Sequence, residues 1–120
     1  MPSTTPVIDW RQLHALRELQ EEGEPDVIAR VIEMFREDAP ARLARARAAA
    51  DRGDCQALRL EAHSLRGTAG LLGASTLRDV STEVERHAEA QNLDAVVPLL
   101  AAMARGVDEA LEALNDPPPP

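Results

Sequence analysis

One histidine dominates the chemistry available to this chain. His63 stands in the run Arg59-Leu60-Glu61-Ala62-His63-Ser64-Leu65-Arg66-Gly67-Thr68-Ala69-Gly70-Leu71-Leu72-Gly73. On a helix the neighbours at i−4, i+3 and i+4 surround a side chain, so Arg59, Arg66 and Gly67 all crowd the imidazole. Neutral imidazole is a nucleophile near pH 7. Phosphoryl transfer needs mainly positioning and neutralisation of charge on the equatorial oxygens, a task suited to Arg66, which is always protonated and offers paired donors. Glycine inside a helix costs about 0.5–1 kcal/mol relative to alanine. Gly67 and Gly70, one turn apart beside the histidine, therefore point to close approach by another surface.

The helical wheel separates this face from the core. Cys55, Leu58, Ala62, Leu65, Ala69 and Leu72 follow the 3,4 spacing of an apolar stripe packed in a bundle. At ~100° per residue His63 lies about 130° from the centre of that stripe and is expected to face outward. Gln56, Arg59, Arg66, Gly67 and Gly70 share its side, with Leu60 and Leu71 at the margin. A plain surface histidine with glycines as helix punctuation is the simpler alternative. It leaves the joint occurrence of His, Arg at +3 and Gly at +4 unexplained.

Ala62-His63-Ser64-Leu65-Arg66-Gly67-Thr68-Ala69, followed by Leu72-Gly73-Ala74, closely resembles the signature of histidine-containing phosphotransfer (HPt) domains. The likeness runs from about Ile8 to Leu114. It implies that His63 takes a phosphoryl group from a receiver-domain aspartate and passes it to another in a two-component phosphorelay. The family more often has lysine at +3, so Arg66 keeps the charge but changes reach and geometry. It also commonly has Glu or Gln 22 residues after the histidine, here Glu85, where a carboxylate could hold one ring nitrogen and leave the other free. The implied partners are response-regulator receiver domains and a hybrid sensor kinase. No cofactor is expected on this chain; magnesium belongs to the receiver.

Other chemistries fit less well. A di-iron bundle needs Glu-x-x-His pairs on two helices, whereas this chain offers Glu61-x-His63 and Glu83-x-x-x-His87. Zinc wants several Cys or His ligands, and His14, His63 and His87 fall on separate helices. His87 reads as a surface or boundary residue, and His14 as a packing residue beside Leu13 and Leu16. A sensor-kinase dimerisation helix typically follows its histidine with an acidic residue; here Ser64 follows. No nucleotide-binding glycine motif occurs, so the chain is expected to be a phosphocarrier that cannot phosphorylate itself from ATP. The remaining alternative is a helical module that binds a receiver or another signalling partner without accepting phosphate.

Composition bounds the rest. A chain of 120 residues with 44% hydrophobic content fits one domain. Its only aromatics are Trp10 and Phe35, so the core must be aliphatic and closely packed. A formal net charge of −8 disfavours nucleic acid, which needs a basic face; Arg42, Arg45 and Arg47 read as a solvated helix face. No apolar run suggests a membrane span or signal peptide, and a soluble cytoplasmic monomer is expected. The single cysteine, Cys55, permits no internal disulfide and reads as a small buried filler.

The pattern predicts an all-α, antiparallel up-down four-helix bundle with one or two short N-terminal helices across one end. Residues 1–7 form a leader, 8–115 the helical domain and 116–120 a proline-rich tail. Asp9 caps a first helix bearing Trp10, Leu13, Leu16 and Leu19, running to about Gln20. Pro25 opens a second with Val27, Ile28, Val31, Met34 and Phe35 on its apolar side. Asp38-Ala39-Pro40 marks a bend and a new start, and a third helix carries Leu43, Ala46 and Ala50 to Gly53. Asp54 caps the histidine helix and Gly73 stops it. Ala74 or Ser75 starts the next, with Leu77, Val80, Val84 and Ala88 inward, until Gln91-Asn92. The last helix carries Val96, Val97, Leu100, Met103, Val107, Leu111 and Leu114, and Pro98 requires a later start or a bend.

Overall fold

A computed structural model describes residues 7–24 and 26–115. Most of the leader, Pro25 and the proline tail lie outside the described residues. Among those described, every regular element is helical: α1 (Trp10–Ala15) with a 3-10 turn (Leu16–Leu19), α2 (Val27–Asp51), α3 (Cys55–Leu72), α4 (Ser75–Glu89) and α5 (Leu93–Asn115). α2 to α5 form the four-helix bundle, each packed on its sequence neighbour, with α5 closing the ring against α2. Connections of two or three residues force successive helices to run antiparallel.

The helix starts follow from side-chain caps. Asp9 accepts from the backbone N–H groups of Arg11 and Gln12, Asp26 from Ile28, and Asp54 from Ala57. Each satisfies an N–H that the first turn leaves without a partner. The first helix loses α geometry after Ala15 and tightens into the 3-10 turn rather than reaching Gln20. α4 begins at Ser75 without a side-chain cap.

Two expectations about proline are corrected. α2 continues through Pro40, so no new start occurs at Asp38-Ala39-Pro40; likewise α5 begins at Leu93 and contains Pro98, so it does not start late. A proline six or more residues into a helix removes the N–H that would bond the carbonyl four residues back. Those carbonyls belong to Arg36 and Asp94, and Arg36, Pro40, Asp94 and Pro98 are all exposed. The lost bonds therefore fall on the solvent side, where water satisfies a carbonyl and apolar packing on the other face holds the helix.

The core is aliphatic with one large aromatic. Phe35, Leu13, Leu58, Leu65, Leu72, Leu77, Val84, Val96, Met103 and Val107 are fully buried. Burial of such side chains stabilises by about 1.5–3 kcal/mol each, against a backbone ordering cost of similar total size. Not every residue assigned to an apolar stripe is inside: Val97 is 67% exposed, Met34 64% exposed, and Leu19 projects into solvent. Each flanks a buried neighbour (Val96, Phe35) or the irregular 3-10 turn, and the inward arc is narrower than the apolar pattern. Cys55 is half-buried rather than a buried filler. His14 is exposed, its ring 6.0 Å from that of Trp10.

The basic stretch of α2 is tied to α3. Glu61 accepts from Arg42 Nη1 at 3.0 Å and from Arg45 Nε at 2.7 Å, while Arg42 Nε also pairs with Asp38. The hydrogen bond to Asp38, with Glu61 adding its charge, raises the Arg42 pKa above its ordinary value. Only Arg47 of that cluster stands apart from these pairs.

The sharpest steric constraint lies at the α3–α4 turn. Gly73 has φ +71°, and its carbonyl accepts from the Asp9 N–H at 2.9 Å. A Cβ there would lie 2.7 Å from Asp9 Cβ and 2.8 Å from the Asp9 carbonyl oxygen. Gly53 has a similar φ of +73° but open space around it. Gly73→Ala is therefore expected to lower stability by about 2–4 kcal/mol in urea denaturation, and Gly53→Ala by only about 1 kcal/mol, the left-handed backbone cost. Equal losses for the two variants would show that the Asp9 contact contributes nothing.

Candidate functional site

The site is carried by the middle of α3 and the facing surface of α4. His63 lies at the ninth residue of α3, and its side chain is 55% exposed. The stripe Leu58, Ala62, Leu65, Ala69 and Leu72 is buried beneath it. Packing of this stripe fixes the rotation of α3 and leaves position 63 outward.

Glu85 reaches the ring from α4. Its Oε2 is 2.7 Å from His63 Nδ1, and the carboxylate is only 15% exposed. Arg66, one turn beyond His63, places Nε 2.9 Å from Glu85 Oε1 and Nη2 3.0 Å from His63 Nδ1. The three side chains close a small ring of contacts. Arg66 Nε is buried and its N–H is not aligned on the carboxylate oxygen, so that contact is an ion pair rather than a well-formed hydrogen bond.

Proton placement follows from these distances. An ionised carboxylate is acceptor-only, so a 2.7 Å contact with Nδ1 requires the proton on Nδ1. Nδ1 has one in-plane position, and with a hydrogen there it has no lone pair for Arg66 Nη2. The neutral ring then carries its lone pair on Nε2.

The other expected residues divide into those that share the face and those that do not lie free upon it. Gln56, Leu60, Gly67 and Leu71 are exposed, and a Cβ on Gly67 would meet nothing within 4 Å. Arg59 is half-buried, with no carboxylate within ion-pair distance among the described residues. It lines a hollow of about 150 Å³ with Cys55, Gln56, Ala88, Glu89 and Gln91. Gly70 differs from the expectation of bare backbone awaiting another molecule: the Gln12 amide of α1 donates to its carbonyl, and Arg78 Cδ would lie 3.8 Å from an added Cβ. Its close approach is made within the chain. Gln12 and Arg78 extend the His63 face toward α1, and no local motif marks them in the sequence. The Arg66–Glu85 pairing was equally absent from the sequence reading, because it depends on how α3 and α4 are aligned.

Among the described residues no group of three or more His, Cys, Asp or Glu side chains could hold a metal ion. No helix is long and apolar enough to cross a membrane.

Comparison with known proteins agrees with this fold. The fold is similar to that of histidine-containing phosphotransfer protein B from Pseudomonas aeruginosa PAO1, with a TM-score of 0.81 and 29% identity over 93% of this chain and 94% of that one. It is also similar in fold to a histidine-containing phosphotransfer protein from maize, with a TM-score of 0.78 and 22% identity over 91% of this chain and 80% of that one. A comparison with curated proteins gives no match. The Hpt domain family model matches residues 30–116. With well over half of the chain covered, and a histidine exposed on the bundle at the expected position, the protein belongs to the Hpt domain family and serves histidine phosphotransfer in phosphorelay signalling.

Proposed function

We propose that His63 is the phosphoacceptor and that its Nε2 is the attacking atom. The observation that supports this most is the 2.7 Å contact between Nδ1 and Glu85 on an otherwise exposed ring. In the forward step Nε2 of the neutral imidazole attacks the phosphorus of a receiver aspartyl phosphate in line. The Nε2–P bond forms, the P–O bond to the aspartate breaks, and the carboxylate leaves with the electron pair. The ring then carries a positive charge, countered by Glu85, while its Nδ1 proton stays in place. Transfer to a second receiver reverses these changes.

Arg66 stabilises the transferring group, and Arg59, one turn before His63 and without a carboxylate partner among the described residues, is available to assist. Docking uses Gln56, Leu60, Gly67 and Leu71: two exposed apolar side chains at the margin and open main chain at the centre. Gly70 supports the face from beneath Gln12. The partners are response-regulator receiver domains, one of them on a hybrid sensor kinase, and the magnesium of the reaction sits in the receiver. The chain acts as a carrier without ATP chemistry of its own. The buried apolar faces of all four long helices favour a monomer, and the role places it in the cytoplasm.

Mixing with a phosphorylated receiver is expected to give acid-labile, base-stable phosphate on the wild-type chain and none on His63→Gln. Phosphate retained on His63→Gln would end the assignment, and binding without phosphate on the wild type would make the chain an interaction module. Arg66→Ala is expected to slow transfer about tenfold to a hundredfold, the range for one lost charge-assisted contact, with receiver affinity nearly unchanged. Gly67→Gln is expected to weaken receiver binding by steric block, measured by calorimetry. Equal effects of the two changes on affinity would contradict this division of roles.

A further inference from the structure

Small residues recur every seven positions where α3 meets α4: Cys55, Ala62 and Ala69 on α3, then Ala74, the N-cap of α4, with Ser81 and Ala88 along it. All but the half-buried Cys55 are buried. The Ala74 N–H donates to the Ala69 carbonyl at 2.8 Å, which fixes the antiparallel register at the turn. Seven residues away from the turn on each helix, that register sets Ala62 level with Ser81. Seven more set Cys55 level with Ala88, and those two line the hollow beside Arg59. The outer row of the interface takes the same step, with Gly70 beside Arg78 and His63 beside Glu85. Ser81 stands out in the inner row. It is the one fully buried polar side chain among the described residues, and its hydroxyl has no hydrogen-bond partner. Burial of an unpaired hydroxyl opposes folding, so what suits serine to this position is its small volume.

We propose that Ser81 is a positioning residue: its small side chain keeps α4 close to α3 beneath the site and so sets the reach of Glu85 to His63 Nδ1. The inference rests on His63 as phosphoacceptor with Glu85 on its Nδ1. At ~100° per residue Ser81 lies about 40° from both Leu77 and Glu85, between the side of α4 that packs on α5 and the side that reaches the ring. Ala62, level with it on α3, directly precedes His63. These two small residues therefore form the packing layer behind the ring and its carboxylate. Helix axes pack about 8 Å apart over small side chains and about 10 Å apart over large ones. The hydrogen bond tolerates less, since such N···O contacts extend only from about 2.7 to 3.2 Å. Added bulk cannot be absorbed by moving α4 toward α5, whose backbone is already pressed on Leu77: a Cβ on Gly106 would lie 3.1 Å from Leu77 Cδ1. A larger residue at position 81 must then part α3 from α4 and draw Glu85 off the ring.

Substitutions at position 81 separate volume from the hydroxyl. Ser81→Ala is expected to keep the wild-type imidazole ¹⁵N shifts and transfer rate while raising the urea midpoint. Ser81→Val is expected to lose the Nδ1–H tautomer in the unphosphorylated protein and to slow transfer about tenfold, as the fraction of rings in the competent tautomer falls. Ser81→Thr adds one methyl and keeps the hydroxyl; it should shift the same resonances in the same direction, and it carries the readout if valine prevents folding. Leu114→Ala, at a buried position of α5, should lower the urea midpoint without moving the His63 resonances. Wild-type shifts and rates in the valine and threonine variants would overturn the proposal. So would loss of the tautomer in Ser81→Ala, or the same loss in Leu114→Ala. Any of these results, with His63→Gln still unable to accept phosphate, removes the role of Ser81 and leaves the phosphoacceptor assignment standing.

Discussion

The register of α3 against α4 is the constraint on which the site depends. Ten positions separate His63 from Gly73, and twelve separate Gly73 from Glu85. At about 1.5 Å per residue the chain rises roughly 15 Å and returns roughly 18 Å, which brings the two residues level across the interface. The same register sets Gly70 beside Arg78. A slip of one residue would rotate the carboxylate by about 100° and remove it from the ring. Gly73 holds the register because only glycine accepts both its positive φ and the backbone of Asp9 pressed against it. A stability element and a chemical one thus meet at a single turn: the contact that seats the N-terminal helix also aligns histidine with glutamate.

Electrostatics on this face run against the character of the whole chain. The formal net charge is −8, and all 13 cationic side chains are arginine. Most arginines near α2 and α4 are paired with carboxylates on the surface, where such pairs contribute little to stability. The Arg66–Glu85 pair is about as sheltered as Arg42–Glu61, and the ring of His63 joins it. Glu85 divides its two oxygens between the ring and the guanidinium.

Much of this was legible from residue spacing. The 3,4 repeat from Leu58 to Leu72 set the inward face of α3, and with it the outward direction of His63. Asp9, Asp54 and Gly73 marked helix ends by capping chemistry that is local to the chain. The prolines were misleading for a physical reason, since local rules do not say which side of a helix meets solvent. At Pro40 and Pro98 that side absorbs the lost bonds. Val97 and Met34 failed because hydrophobicity marks candidates for burial without forbidding exposure. The family resemblance supplied position 85, but the ion pair with Arg66 and the cover of Gly70 by Gln12 could not be read locally. Both depend on the relative placement of separate helices.

The central claim is that Glu85 holds the Nδ1 proton of His63 and leaves Nε2 as the atom that carries phosphate. The most direct measurement is ¹⁵N–³¹P coupling in phosphorylated protein labelled with ¹⁵N-histidine. Phosphorus coupled directly to Nε2 of His63 is the predicted result. Phosphorus attached at Nδ1, or to any residue other than His63, would contradict the account.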